Sequence, residues 1–302
     1  MGIGLALSGG GAKGIAHIGI IEALQDYGIQ IDYIAGTSSG SIIAALYASG
    51  YTPNEILKIV NYNKDNFLDI DKKIGFKLLG SIFSKKVSIK GFIKGNRLEK
   101  IVNEMLRNKN VQDISDVHMP LAIPVIDLKT GEKVYFINNI KNANKNKRQC
   151  LIEENTKYDD VPSYYTEGSL ASIVRASCGV PGIFVPKKIG DSYYIDGGVR
   201  VNTPVEILKQ MGAEKILAVT FNCNKKQCFS IQNVIGISSQ AFNIMTHSSN
   251  IDEVNMADVN VRLCLNDTAL FDVSNPTYLA KRGYNIIAKN IIRIKQKLDI
   301  DI

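Results

Sequence analysis

The sequence lacks the long apolar run and the leader that would indicate a membrane-spanning or secreted protein. None of its runs approaches the roughly 18–20 consecutive apolar residues that a spanning helix needs. Its first residues carry no basic stretch ahead of an apolar one, so we expect no signal peptide. The five cysteines are scattered and odd in number, which favours free thiols in a reducing compartment. These absences together predict a cytoplasmic protein.

Histidine is also scarce, and the sequence contains only His17, His118 and His247. None of the three stands in a setting typical of a catalytic base. Cys223 and Cys228 form the one close pair of cysteines, and no second pair at zinc-ligand spacing accompanies them. We therefore expect no bound metal, and a Ser–His–Asp triad is poorly supported.

What the sequence does contain is an alternation of strand-like and helix-like segments in its N-terminal half. Apolar runs end in glycines near residues 3–8 and 31–35, and helical spacing follows at 15–27 and 41–49. This order predicts parallel strands covered by helices. We also expect strands at 121–127, 133–137, 193–195 and 215–220, a surface loop between 137 and 170, and a helix at 276–298.

The first motif with chemical meaning is a G-x-S-x-G sequence between a predicted strand and a predicted helix. Gly36 and Gly40 permit a sharp, crowded turn that lifts the hydroxyl of Ser38 above the sheet. The N-terminus of the following helix favours negative charge near that hydroxyl. This motif predicts that Ser38 is a nucleophile.

The second motif is a glycine-rich turn between the first strand and the first helix, formed by Gly9, Gly10, Gly11, Ala12, Lys13 and Gly14. It matches the dinucleotide fingerprint G-x-G-x-x-G, but Asp32 stands at the start of the second strand, whereas ribose binding needs an acid at its end. The backbone amides of Gly9, Gly10 and Gly11 instead suit an oxyanion hole. Adjacent parallel strands would bring this turn beside Ser38.

A serine hydroxyl is a poor nucleophile without a base, and the better candidate for that base is a carboxylate. Asp196 follows a short apolar run and precedes Gly197 and Gly198, which allow a tight turn beside it. By itself this D-G-G sequence is common in turns. We nevertheless expect Asp196 to accept the proton of Ser38.

Taken together, the three motifs resemble those of the patatin-like phospholipase family, in the family's order. The stretches 176–186 and 196–204 are similar to it as well, and the chain particularly resembles the bacterial branch akin to the catalytic domain of neuropathy target esterase. The resemblance implies a three-layer α/β/α fold with a mostly parallel central sheet and a serine nucleophile elbow. It also implies a Ser38–Asp196 dyad that hydrolyses phospholipids or lysophospholipids without a metal or cofactor. The motif-supporting residues are Lys13, Gly14, Gly36, Gly40, Gly197 and Gly198.

The domain organisation is expected to be one hydrolase domain spanning residues 1–302, with the motifs in a core at about 3–220 and a helical extension at 221–302. Residues 64–100 combine basic and apolar side chains and are interpreted as a lid or membrane-docking insertion. The expected partners are thus a lipid substrate and the inner face of a membrane, with peripheral contact. The sequence leaves the oligomeric state open.

Two other functions remain open at this point. An acyltransferase would use the same serine and pass the acyl group to an acceptor other than water. A non-catalytic nucleotide-binding protein would make Ser38 dispensable. Nucleic-acid binding has only the net charge of +7 in its favour, without a module of basic and aromatic residues.

Overall fold

The computed structural model describes residues 2–64, 91–139, 162–221, 234–248, 251–265 and 268–301. Within these ranges the strands join in a single sheet. The strands are β1 (Ile3–Leu7), β2 (Tyr33–Gly36), β3 (Leu121–Asp127), β4 (Lys133–Ile137), β5 (Ser163–Tyr165), β6 (Lys187–Ile189), β7 (Ser192–Asp196), β8 (Lys215–Thr220) and β9 (Val259–Arg262).

Helices of the described residues cover the two faces of this sheet. The α-helices are α1 (Ala16–Asp26), α2 (Ser39–Ala48), α3 (Pro53–Asn63), α4 (Asn96–Asn108), α5 (Leu170–Ser177), α6 (Val205–Met211), α7 (Val234–Ser248), α8 (Ile251–Asn255) and α9 (Pro276–Lys297). Short 3₁₀ helices occupy Gly11–Ile15, Ile114–Asp116 and Gly197–Val199.

The sheet is mostly parallel, with strand order β5-β4-β3-β2-β1-β8-β9. Strands β3, β2, β1, β8 and β9 run parallel to their neighbours in this series, whereas β4 is antiparallel to β3. One side of β3 is shared: its first residues pair with β2, and its last pair with antiparallel β7. The end of β7 therefore reaches the middle of the sheet near the carboxyl ends of β1 and β2.

The two faces of the sheet carry side chains of different size, which explains the layers. Leu5, Leu7 and Ile34 belong to the larger core, under α1, α2, α3, α4, α5 and α9. On the opposite face the central strands present alanines, namely Ala6, Ala35, Ala122 and Ala218. Small side chains let α6 approach closely, and its buried residues complete a second core. The three-layer α/β/α expectation is confirmed.

Most predicted elements are confirmed, three strands (121–127, 133–137 and 215–220) with the same bounds. The surface loop expected between 137 and 170 is wrong in part, because β5 lies within it and pairs with β4. The C-terminal extension is not purely helical, since β9 adds a strand beside β8. Strand β5 has only three residues, too few to show a period of two.

Residues 65–90 of the expected lid lie outside the described residues. Its end, from Gly91, packs against the core: Ile93 is buried, and its amide donates a 2.9 Å hydrogen bond to the Ile183 carbonyl. In the part of the chain that the structure describes, no helix is both long and apolar enough to cross a membrane.

Candidate active site

Ser38 lies in the turn that joins β2 to α2, and its backbone is strained. Its φ of 52° and ψ of −126° are unusual for a residue with a side chain. Gly36 ends β2, and Gly40 lies in the first turn of α2, where a Cβ atom would collide with the Leu7 carbonyl. The turn is therefore as tight as G-x-S-x-G predicts, and it leaves Ser38 only 6% exposed.

A second serine, Ser177 at the end of α5, holds the backbone of Ser38. The amide of Ser38 donates a 3.0 Å hydrogen bond to Ser177 Oγ, which in turn donates to the Pro124 carbonyl at 2.8 Å. Ser177 is fully buried, so water does not compete for either bond. Sequence reasoning missed this role, because the contact joins residues far apart in the chain.

Asp196 is the last residue of β7, and its register places it opposite Val125 of β3. The side chain is completely buried. Its Oδ1 accepts a 2.8 Å hydrogen bond from the amide of Gly198, in the 3₁₀ helix that begins with Gly197. Its buried Oδ2 has no hydrogen-bond partner among the described residues. One oxygen of the carboxylate is therefore held in place while the other is left available for a proton.

Burial raises the pKa of Asp196 to about 7, against the smaller opposing effects of the Gly198 amide and the nearby Ser38 hydroxyl. A carboxylate that titrates near neutrality is a far stronger base than an ordinary aspartate. The neighbouring Cys178 behaves differently. Burial, with the charge of Asp196, raises the pKa of its thiol to about 12, which keeps the sulfur protonated and unreactive.

The glycine-rich turn lies directly against the serine. A Cβ atom at Gly9 would sit 2.9 Å from Ser38 Cβ and 2.8 Å from Asn202 Oδ1, so a larger residue does not fit. The Gly9 amide donates a 3.1 Å hydrogen bond to the Asn202 carbonyl and is already engaged. The expectation that Gly9 supplies an oxyanion donor is therefore corrected. Its lack of a side chain instead lets the glycine-rich turn lie close to Ser38 and Asn202.

The other two amides of the expected oxyanion hole differ from that of Gly9. Among the described residues, no hydrogen bond engages the amide of Gly10 or Gly11. The next amide, of Ala12, donates to the Leu270 carbonyl at 2.8 Å. Lys13 and Gly14 follow in the buried 3₁₀ helix that leads into α1.

Neither of the two histidines whose side chains the structure describes offers a better base than Asp196. His17 is fully buried, and Nε2 donates a 2.8 Å hydrogen bond to the Ser8 carbonyl, since a carbonyl can only accept. Burial lowers the pKa of His17 to about 4, so the ring is neutral and steadies the entry to the glycine-rich turn. His118 is exposed, and the side chain of His247 lies outside the described residues.

A cluster of apolar side chains borders the site. Phe242 of α7 lies against Gly198, where an added Cβ would be 3.1 Å from its ring. Leu270 joins the same cluster and touches the glycine-rich turn through its carbonyl. The buried members are Ile93, Val180, Ile183, Phe184 and Phe242, with Phe92, Val199, Leu270 and Phe271 packed against them. Sequence reasoning placed Phe92 and Ile93 in the expected lid at residues 64–100 and assigned none of the other members to the site.

Comparisons with known proteins show which family this sequence resembles. The sequence model of the patatin-like phospholipase family matches residues 5–209. An uncharacterized Bacillus subtilis protein, YqhO, is 31% identical over 221 residues, which cover 70% of this chain and 69% of that protein. Lysophospholipase NTE1 of Scheffersomyces stipitis is 27% identical over 72% of this chain, but the match covers only 11% of its own length.

Among solved structures, the ExoU–SpcU complex of the Pseudomonas aeruginosa type III secretion system shares the fold. The match has a TM-score of 0.50 at 17% identity and covers 99% of this chain and 52% of that one. The family match at residues 5–209 spans about two thirds of the chain and includes all three motifs. The chain belongs to the patatin-like phospholipase family, a family of lipid hydrolases.

Proposed function

We propose that this protein is a serine lipid acyl hydrolase, a carboxylic ester hydrolase in which Ser38 is the nucleophile and Asp196 the base. The observation that carries the proposal is the buried Asp196 carboxylate, with one oxygen unpartnered, beside a serine in a strained turn. A buried carboxylate without a counter-charge is unfavourable for stability, and such groups are typical of functional sites.

The reaction begins when Asp196 Oδ2 accepts the hydroxyl proton of Ser38 and Oγ attacks the carbonyl carbon of a fatty-acyl ester. The amides of Gly10 and Gly11 then stabilise the negative charge on the carbonyl oxygen, an effect worth roughly 3 kcal/mol of barrier for each donor. The C–O bond to the alcohol breaks, and the proton on Asp196 passes to the leaving oxygen. The products of this half-reaction are acyl-Ser38 and the free alcohol.

In the second half-reaction, Asp196 accepts a proton from water, and the resulting hydroxide attacks the acyl-serine. The same two amides stabilise the second tetrahedral intermediate. When it collapses, the fatty acid leaves and Ser38 regains its proton from Asp196. No metal or cofactor takes part in this scheme. An acyltransferase that uses a histidine partner gains no support from the histidine side chains that the structure describes, because His17 is buried and bonded to the Ser8 carbonyl and His118 is exposed.

The proposed substrates are phospholipids or lysophospholipids. This proposal draws on the name of the lysophospholipase relative and on the family match. The apolar cluster around Phe184 and Phe242 supports it further, because it offers a fatty-acyl chain an environment away from water. We keep residues 64–100 as a candidate membrane-docking segment, although residues 65–90 lie outside the described part of the chain.

The test is labelling with a fluorophosphonate, which reacts covalently with activated serines. Wild-type protein should take up the label, Ser38→Ala should not, and Ser39→Ala should retain it as a matched neighbouring control. The rates at which the protein releases fatty acid from a phospholipid and from a lysophospholipid then rank the two substrates. Equal labelling of wild type and Ser38→Ala would reject Ser38 as the nucleophile.

A further inference from the structure

Helix α7 has an outward face that is apolar rather than polar. Ile237 and Ile244 are 55% and 61% exposed, and Ala241 lies between them on the same side of the helix. The opposite side is buried and includes Ser239, Phe242 and Thr246. A helix that only covered a core would place its isoleucines inward and its serine and threonine outward, so this arrangement needs another explanation.

The sequence around α7 also lacks charge. Residues 227–251 contain no Lys, Arg, Asp or Glu, whereas the chain average of 22% would give about five in this length. Other large apolar side chains exposed in the described part of the chain are mostly scattered. Those on or next to α7 are Ile237, Ile244, Met245 and Ile251. The concentration of such residues on one uncharged helix indicates a contact with an apolar environment.

The inner side of α7 connects this face to the catalytic pair. Phe242 lies against Gly198, and the amide of Gly198 holds Asp196 Oδ1. Phe242 also belongs to the apolar cluster that includes Phe184 and Leu270. The same helix therefore carries exposed isoleucines on its outward side and contacts the edge of the site through Phe242 on its inner side.

We propose that the outward face of α7 docks on a lipid surface and brings the site to substrate held in that surface. This inference rests on the proposed lipid hydrolase function and deepens it. It identifies the substrate as lipid in a membrane or micelle rather than lipid dissolved as single molecules. Exposed Ile237 and Ile244 would enter the acyl boundary of that surface. The net charge of +7 favours a surface that contains anionic lipid.

A lipid surface fits these features better than a second copy of the chain. Two copies of a +7 protein repel each other, and the uncharged helix offers no ion pairs to offset that repulsion. A bilayer needs no shape-matched pocket for the isoleucines and attracts the positive protein. The helix also lies next to the proposed site, where contact with lipid would serve catalysis.

The first test uses the absence of tryptophan from the sequence. Ile244→Trp introduces a single tryptophan on the proposed face, and Ile292→Trp introduces one on α9, where Ile292 is 57% exposed. Vesicles of phosphatidylcholine and phosphatidylglycerol in equal amounts should shift the emission of Ile244→Trp to shorter wavelength and leave Ile292→Trp unchanged. Equal behaviour of the two variants would overturn the proposal.

The second test removes the apolar face. Cosedimentation with the same vesicles should fall at least about tenfold for Ile237→Asp/Ile244→Asp and should not change for Ile292→Asp. Undiminished binding of the double variant overturns the proposal. So does a size-exclusion result in which wild type is a dimer and the double variant a monomer, because the face would then bind a second copy.

The two proposals fail in distinguishable ways. Fluorophosphonate labelling in solution, without vesicles, should be the same for wild type and the double aspartate variant, because neither isoleucine touches Ser38 or Asp196. Equal labelling also shows that the double variant is folded. Loss of vesicle binding by the double variant, with normal labelling, supports the docking face. Absence of label on wild type rejects the proposed function, and vesicle binding then tests the docking face alone.

Discussion

Replacing Asp196 by asparagine should stabilise the fold at alkaline pH while it abolishes turnover. Asparagine has nearly the same shape, and its carbonyl oxygen can still accept the hydrogen bond of the Gly198 amide. It removes the charge that burial makes unfavourable. Moving the pKa of Asp196 from 3.8 to about 7 corresponds to about 4 kcal/mol of free energy, as an order of magnitude.

The sign of the pH dependence follows from which state holds the proton. Between the unfolded pKa of 3.8 and the folded pKa of about 7, folded Asp196 keeps a proton that the unfolded chain has released. The contribution of Asp196 to stability is therefore complete below pH 3.8 and is lost as pH rises to about 7. The asparagine variant has no such loss, so its advantage over wild type should grow by about 3 kcal/mol between about pH 5 and pH 8.5.

The assay is urea denaturation of wild type and Asp196→Asn at the two pH values, with hydrolysis measured in parallel. Asp127→Asn is a matched control, because Asp127 is also buried but its Oδ1 already accepts hydrogen bonds from the amides of Lys129 and Thr130. The gain that grows with pH is expected for Asp196→Asn. An Asp196→Asn advantage that is the same at both pH values would refute an elevated pKa, and turnover near wild type would refute the dyad.

Two further predictions concern the groups around the dyad. In a pH–rate profile, kcat/KM of the wild type should rise through an inflection near pH 7 as Asp196 loses its proton. The variant His17→Gln should keep that inflection, because the glutamine amide can still donate to the Ser8 carbonyl. Its disappearance in His17→Gln would instead assign the base to histidine. Ser177→Ala should leave the buried Ser38 amide without an acceptor, which should lower the free energy of unfolding by roughly 1–3 kcal/mol. The variant should also react about tenfold more slowly with the fluorophosphonate, while the inflection of its pH–rate profile stays near pH 7. Labelling at the wild-type rate would limit Ser177 to a structural role.

The elements that carry the first two motifs could be predicted because their signals are local. A strand that ends in glycines and a helix that follows at once identify the turns around Gly9 and Ser38. Parallel pairing of β1 with β2 then places those turns side by side. The approach of Asp196 could not be derived in this way, since it depends on β7 sharing one side of β3 with β2. Resemblance to a family supplied that prediction.

Features that depend on long-range contacts were missed or wrong. Nothing near Gly9 in the sequence shows that its amide is engaged by the Asn202 carbonyl, or that Ser177 holds the Ser38 amide. The short strand β5 exists because β4 offers it an edge to pair with. Helix α7 has isoleucines on its outward side, so a rule that places apolar residues in the core assigns it the wrong face.

The burial of Asp196 gives the proposed dyad a base without histidine. To raise the pKa of a carboxylate to about 7, water must be excluded and the charge must lack a compensating partner. The side chain of Asp196 is completely buried, and its Oδ2 has no hydrogen-bond partner among the described residues. A partner for Oδ2 that stabilised the charge would stabilise the fold and lower the pKa, and the base would become weaker in the same proportion. Gly198 holds one oxygen in place, and further donors would weaken the base. The instability that Asp196→Asn should relieve is therefore the physical origin of the basicity that the proposed reaction needs.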